Sequence, residues 1–161
     1  MIATPDVAAE HSHSERLIGH PAVLGAIATL VSNDHVLKHA HPSWLTGKLS
    51  DAAGLFFFPV LLLWLLERAL PSRERGAATR KLASCALVTA VVFSWIKVDP
   101  SGTEFYRLAL AVVQWPFRAL GALTHGAHLP ALAKVLAVTD PTDLFALPFT
   151  FGSLAIPPRR P

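Results

Sequence analysis

From Ala52 to Leu66 the chain is almost pure hydrocarbon, interrupted only by Gly54 and Pro59. Two polar strings precede that run: Asn33-Asp34-His35-Val36-Leu37-Lys38, and Thr46-Gly47-Lys48-Leu49-Ser50-Asp51, which abuts it. Charges massed at the lip of a lipid-soluble helix must be stabilised by each other, by headgroups or by a ligand. Composition points the same way. A chain of 161 residues with 52% hydrophobic and only 16% charged side chains is too apolar for a soluble domain, where about a quarter of residues are charged.

A bilayer core about 30 Å thick asks for roughly 20 apolar residues per helix. Four segments come near that length, and a fifth falls short of it. The first runs from Leu17 to Ser32 with Pro21 in its first turn, where a missing amide proton does no harm. The second, Leu49 to Leu66, and the third, Leu82 to Val98, are the most continuous. The fourth, Phe105 to Leu123, carries Gln114, Pro116 and Arg118 in its middle, a combination that is costly in lipid and that points to a kinked, re-entrant or interfacial course. The fifth, Leu144 to Ile156, is short and contains Pro148 and Gly152. The expected fold is all-α, an integral membrane bundle of four or five short transmembrane helices, one of them re-entrant or interfacial. Residues 1–16 read as a disordered tail without a cleavable signal pattern, 17–156 as one helical membrane domain, and 157–161 as a C-terminal tail.

Orientation follows from the connectors, because Lys and Arg favour the cytoplasmic side. Arg68, Arg73, Arg75, Arg80 and Lys81 crowd the link between the second and third segments, whereas Asn33 to Ser50 holds only Lys38 and Lys48. The first link is therefore expected inside, and both polar strings outside together with Lys97. Asp140 and Asp143 join the outer face if residues 105 to 139 enter and return, which also leaves Arg159 and Arg160 inside; they fall inside if the fourth segment spans.

Each string also has a purely local reading. Asp34 and Lys38 are spaced as an i,i+4 ion pair, and Lys48 and Asp51 as an i,i+3 pair. Asp140, Pro141 and Asp143 read as N-cap, first-turn proline and N3 acid, and Ser101 with Glu104 as a capping box. Lys97 beside Trp95 reads as a snorkelling residue in an aromatic belt. Local pairs do not explain why Asp34, His35, Lys38, Lys48, Asp51 and Lys97 fall at one membrane depth. A shared binding cluster, joined by Asp140 and Asp143, is the alternative.

Several chemistries find no footing. His35, His39 and His41 lie close in sequence, but nearby lysines oppose a cation and no HEXXH pattern is present, so no metal and no cofactor is expected. The single Cys85 lies in an apolar segment and supports neither a disulfide framework nor a thiolate site. There is no nucleophile elbow, P-loop or dinucleotide turn, and no basic face interleaved with aromatics for nucleic acid.

The strings Asn33-Asp34-His35-x-Leu37-Lys38, Leu45-Thr46-Gly47-Lys48-Leu49-Ser50-Asp51-x-x-Gly54-Leu55 and Asp140-Pro141-Thr142-Asp143-Leu144 together resemble a family of small bacterial multi-pass membrane proteins over residues 20 to 155. That resemblance implies a multi-pass location in the cell inner membrane and no particular activity. The stretch Asp140 to Leu154 is similar to the end of VanZ-like membrane proteins, a family linked to lipoglycopeptide resistance, with Ala146-Leu147-Pro148 where that family carries an asparagine. The resulting expectation is non-catalytic binding of an anionic lipid or envelope headgroup, or of a membrane-protein partner or second copy, with no role for nucleic acid. The alternatives are an enzyme acting on a phospholipid or isoprenoid phosphate, with Asp34 or Asp51 as base, and a small transporter built around Gln114, Pro116 and Arg118.

Overall fold

The fold is taken from a computed structural model, which describes residues 13–41, 43–70, 78–137 and 139–157. Arg73 and Arg75 of the basic link, Arg159 and Arg160, and tail residues 1–12 lie outside the described residues. Within those described, every regular element is helical: α1 (His13–Ile18), α2 (Pro21–Ser32), a π-helical turn (Asn33–Leu37), α3 (Lys38–Ala40), α4 (Trp44–Ala69), α5 (Ala78–Val98), α6 (Pro100–Thr124) and a 3-10 helix (Pro141–Ala155). Two of them, α4 and α5, are long and apolar enough to cross a membrane. The chain groups into two compact units, one holding the chain up to Ala90 and again from Phe145 onward, the other Val91–Leu144.

In the first unit α1 and α2 run antiparallel to α4. At one end the Ser14 hydroxyl donates to Glu67 Oε2 at 2.5 Å, and Arg68 meets Glu15 at 3.5 Å; at the other, Asn33 reaches Thr46 and Ser50. The α1–α2 break falls at Gly19-His20. There the His20 imidazole caps the new helix by accepting from Ala22 N–H at 3.2 Å, and Pro21 occupies the first turn. Helix α4 begins at a capping box, in which Ser43 Oγ accepts from Thr46 N–H and Thr46 Oγ1 accepts from Ser43 N–H at 3.1 Å. That box starts α4 ahead of the expected Leu49, because capping rather than hydropathy sets the first turn. Pro59 is tolerated in mid-helix, buried among apolar neighbours. Leu17, Val23, Val60, Leu63, Leu82 and Cys85 form the core, with Phe56, Leu154 and Ile156 against it.

The second unit holds the end of α5, α6 and the stretch of chain beyond it. The turn into α6 is tight. Asp99 Oδ1 accepts from Ser101 N–H at 2.7 Å, so Asp99 is the N-cap rather than Ser101, and Pro100 takes the first turn. Thr103 Oγ1 donates back to Ile96 O at 2.6 Å, and a Cβ placed on Gly102 would sit 2.5 Å from Trp95 O, a close approach that only glycine permits. Helix α6 continues through Pro116 and ends at Gly126, whose φ of 64° lets Ala127 N–H reach Ala122 O and Gly126 N–H reach Leu123 O. This Schellman closure reverses the chain. From Ala127 onward the backbone forms an extended strap lying back along α6. Trp115 Nε1 donates to Pro130 O and Arg107 Nε to Val135 O, both at 2.9 Å, and Lys134 pairs with Glu104.

Candidate functional site

The sequence-designated residues gather in two places, one in each unit. The first is a chain of hydrogen bonds where the π-helical turn meets the start of α4. Asn33, fully buried, donates through Nδ2 to Thr46 O and to Ser50 Oγ, both at 2.6 Å. Since Thr46 O can only accept, the amide nitrogen must face it. The Ser50 hydroxyl in turn donates to Asp34 Oδ1 at 2.6 Å, and Lys38 Nζ meets the same oxygen at 2.7 Å. The order runs from a buried neutral amide, through a hydroxyl, to a carboxylate and ammonium that stand half exposed. Asn33 Oδ1 is buried with no hydrogen-bond partner among the described residues, which costs about 1–3 kcal/mol in desolvation.

Asn33 and Asp34, the first two residues of the π-helical turn, both reach the α4 hydroxyl. Burial pushes the Asp34 carboxyl up, but the hydrogen bonds from Lys38 and Ser50, with the charges of Lys38 and His35, outweigh it and hold it below its ordinary 3.8. A carboxylate so stabilised is a weaker base than a free one, and its bond to Ser50 bridges the turn to α4.

Around this chain, His35 stands exposed beside Asp34. The Lys48 ammonium lies 5.3 Å from the centre of the Trp44 ring, on the opening turn of α4, a cation–π contact whose indole is largely exposed. Asp51 is half-buried one turn further on and carries interactions of its own. No three His, Cys, Asp or Glu side chains among the described residues are placed to hold a metal ion.

The second place joins Lys97, near the end of α5, to Asp143 in the first turn of the 3-10 helix. Lys97 Nζ and Asp143 Oδ2 are 2.5 Å apart, with side chains only 19% and 11% exposed, and the ammonium lies over the Phe93 ring at 5.3 Å. The two acids of the Asp140-Pro141-Thr142-Asp143 string divide their work. Asp140 acts as the expected cap, its Oδ1 accepting from Thr142 N–H at 2.9 Å and from Thr142 Oγ1 at 2.7 Å. Asp143 serves as an ion-pair partner instead. Asn33 and Ser50, which carry the first chain of bonds, belong to the polar strings of the sequence but not to its candidate binding residues. Their signal is local: both are neutral polar residues next to designated charges.

No known protein family, curated protein or solved structure matches this chain.

Proposed function

We propose that this is a multi-pass inner-membrane protein that binds an anionic lipid or envelope headgroup at the outer rim of its helices. In this reading α4 and α5 cross the bilayer. The α1–α2 pair traverses the same depth as α4, since its two ends are bonded to the two ends of that helix. The 3-10 helix, fifteen residues at a rise of about 2 Å each, is also long enough for the hydrocarbon core. Successive crossings alternate in direction, so Lys38, Lys48 and Lys97 leave the membrane on one side, and Arg68, Arg80 and Lys81 on the other, as the positive-inside rule prefers.

The observation that carries the reading is Lys48 over the exposed Trp44 ring on the opening turn of a membrane-length helix. An ammonium and an indole at that depth are suited to a phosphate and its glycerol or sugar neighbourhood. The bonds from Asn33 to Asp34 fix the turn that carries Lys38 at the same end of α4. The low basicity of Asp34 weighs against a hydrolase centred there.

The test is lipid content. Lys48→Gln, alone and combined with Lys38→Gln, is purified in mild detergent beside the wild type, and bound phospholipid is measured by mass spectrometry. Loss of anionic lipid from variants that keep the wild-type gel-filtration profile is the expected result. Unchanged content removes the headgroup reading and leaves a membrane-protein partner or second copy as the occupant of that rim.

A further inference from the structure

Helix α6 has two unlike faces. At 3.6 residues per turn, Glu104, Arg107, Ala111, Gln114 and Arg118 fall within a strip of roughly 80°. Away from that strip Phe105, Leu108, Val112, Val113, Phe117 and Leu120 are all exposed. The strap covers the polar side, pinned at Glu104 by Lys134, at Arg107 through Val135 O and at Trp115 through Pro130 O.

The strap decides where this face can be. Between His128 and Ala137 the only backbone groups hydrogen-bonded within the described residues are the two carbonyls of Pro130 and Val135. Every other amide and carbonyl in that stretch needs water, because an unpaired backbone group in hydrocarbon costs roughly 2–7 kcal/mol. A strap that must stay wet is fastened along α6 from Glu104 to Trp115, about 16 Å at 1.5 Å per residue. The helix cannot stand across the bilayer without drawing this backbone into it. The chain also comes back to where it left, since Asp143, beyond the strap, is bonded to Lys97, just before α6 begins.

We infer that α6 lies flat in the membrane interface, its Phe105–Val112–Leu120 face set into the acyl chains of a phospholipid bilayer and its strapped face turned to water. The segment leaves and re-enters on one side of the membrane. The inference rests on the chain being a membrane protein and deepens the proposal above by specifying what this face binds. Amphipathic helices with an open apolar arc and a charged opposite strip take this position.

The experiment uses the full chain in sealed membrane vesicles of both orientations, with Ser101→Cys, Arg118→Cys, His125→Cys and Val112→Cys made singly. The wild type with its buried Cys85 supplies the background. A membrane-impermeant maleimide is expected to label positions 101, 118 and 125 in the same vesicle orientation. Position 112 is expected to resist it, and a permeant bimane placed there to lose its fluorescence to phospholipids brominated on the acyl chains. Labelling of 101 and 125 in opposite orientations overturns the inference and makes α6 a crossing helix, while leaving headgroup binding intact. Free labelling of position 112 overturns it in favour of an aqueous face. A bimane there that is protected yet unquenched overturns it in favour of a protein partner. Release of the wild-type chain by alkaline carbonate overturns this inference and the membrane reading together.

Discussion

The chain of bonds from Asn33 to Lys38 and the Lys97–Asp143 pair solve one problem in opposite ways. Both hold charge at the end of an apolar helix, but the first buries only neutral groups. It steps outward through an amide and a hydroxyl, and leaves Lys38 and Asp34 with side chains 41% and 43% exposed. The second buries the charges themselves, over an aromatic ring. Exposed ion pairs contribute about 0–1 kcal/mol, whereas breaking a buried pair leaves an uncompensated charge at a cost of about 3–5 kcal/mol. Similar residue types at similar positions along their helices therefore differ several-fold in what they contribute.

The largest effect expected from this contrast is at Lys97. Lys97→Met removes the buried ammonium that faces the Asp143 carboxylate and is expected to destabilise by about 3–5 kcal/mol, read as a large fall in the thermal midpoint in detergent. Lys97→Met with Asp143→Leu recovers most of that loss, since replacing both members of a buried pair by apolar groups is often neutral. Lys38→Met, its counterpart, is expected to cost no more than about 1 kcal/mol. Equal losses from Lys97→Met and Lys38→Met would end the distinction between the two sites.

A middle-sized effect is expected at Asn33, where no charge is at stake. Asn33→Leu removes the donor to Thr46 O and Ser50 Oγ and should cost about 1–3 kcal/mol. Asn33→Asp should cost more than Asn33→Leu, because it sets an acceptor against the Thr46 carbonyl and a second carboxylate beside Asp34. If Asn33→Asp is the milder of the two in chemical denaturation, the orientation of the amide, and with it the order of the bonds, is wrong.

How far the sequence reaches differs between the same two regions. The apolar runs announce α4 and α5, and the four-residue spacing of Asp34 and Lys38 announces their ion pair. The Ser43–Thr46 box that starts α4 is also local and readable, but hydropathy averages over such a turn. In α6, Gln114, Pro116 and Arg118 read as a break when they are weighed as interruptions of a segment. Weighed by face, Gln114 and Arg118 continue the alternating three- and four-residue spacing of Glu104, Arg107 and Ala111, and the helix passes through. The bond from Asp143 to Lys97 crosses 46 positions, and no periodicity encodes it. Nor does anything local encode the strap, whose hold on α6 rests on side chains reaching backbone carbonyls far along the chain.

The smallest expected effect is the pH response of Asp34, and its sign follows from the depressed carboxyl. A group whose folded pKa lies below its unfolded value contributes stability that is fully present above the unfolded pKa and fades as pH falls through the folded one. For Asp34 that window lies below its ordinary 3.8. Protonation there removes the partner of Lys38 and turns the acceptor of the Ser50 proton into a competing donor. With its side chain 43% exposed, solvent screening keeps the contribution under about 1 kcal/mol. The comparison is therefore between chains: wild type and Asp34→Asn are unfolded at neutral pH and again below pH 3.8, and the stability gap between them should narrow on acidification. A gap that stays constant would mean that the bonds from Ser50 and Lys38 do not favour the charged carboxylate. The half-exposed site would then owe its order to Asn33 alone.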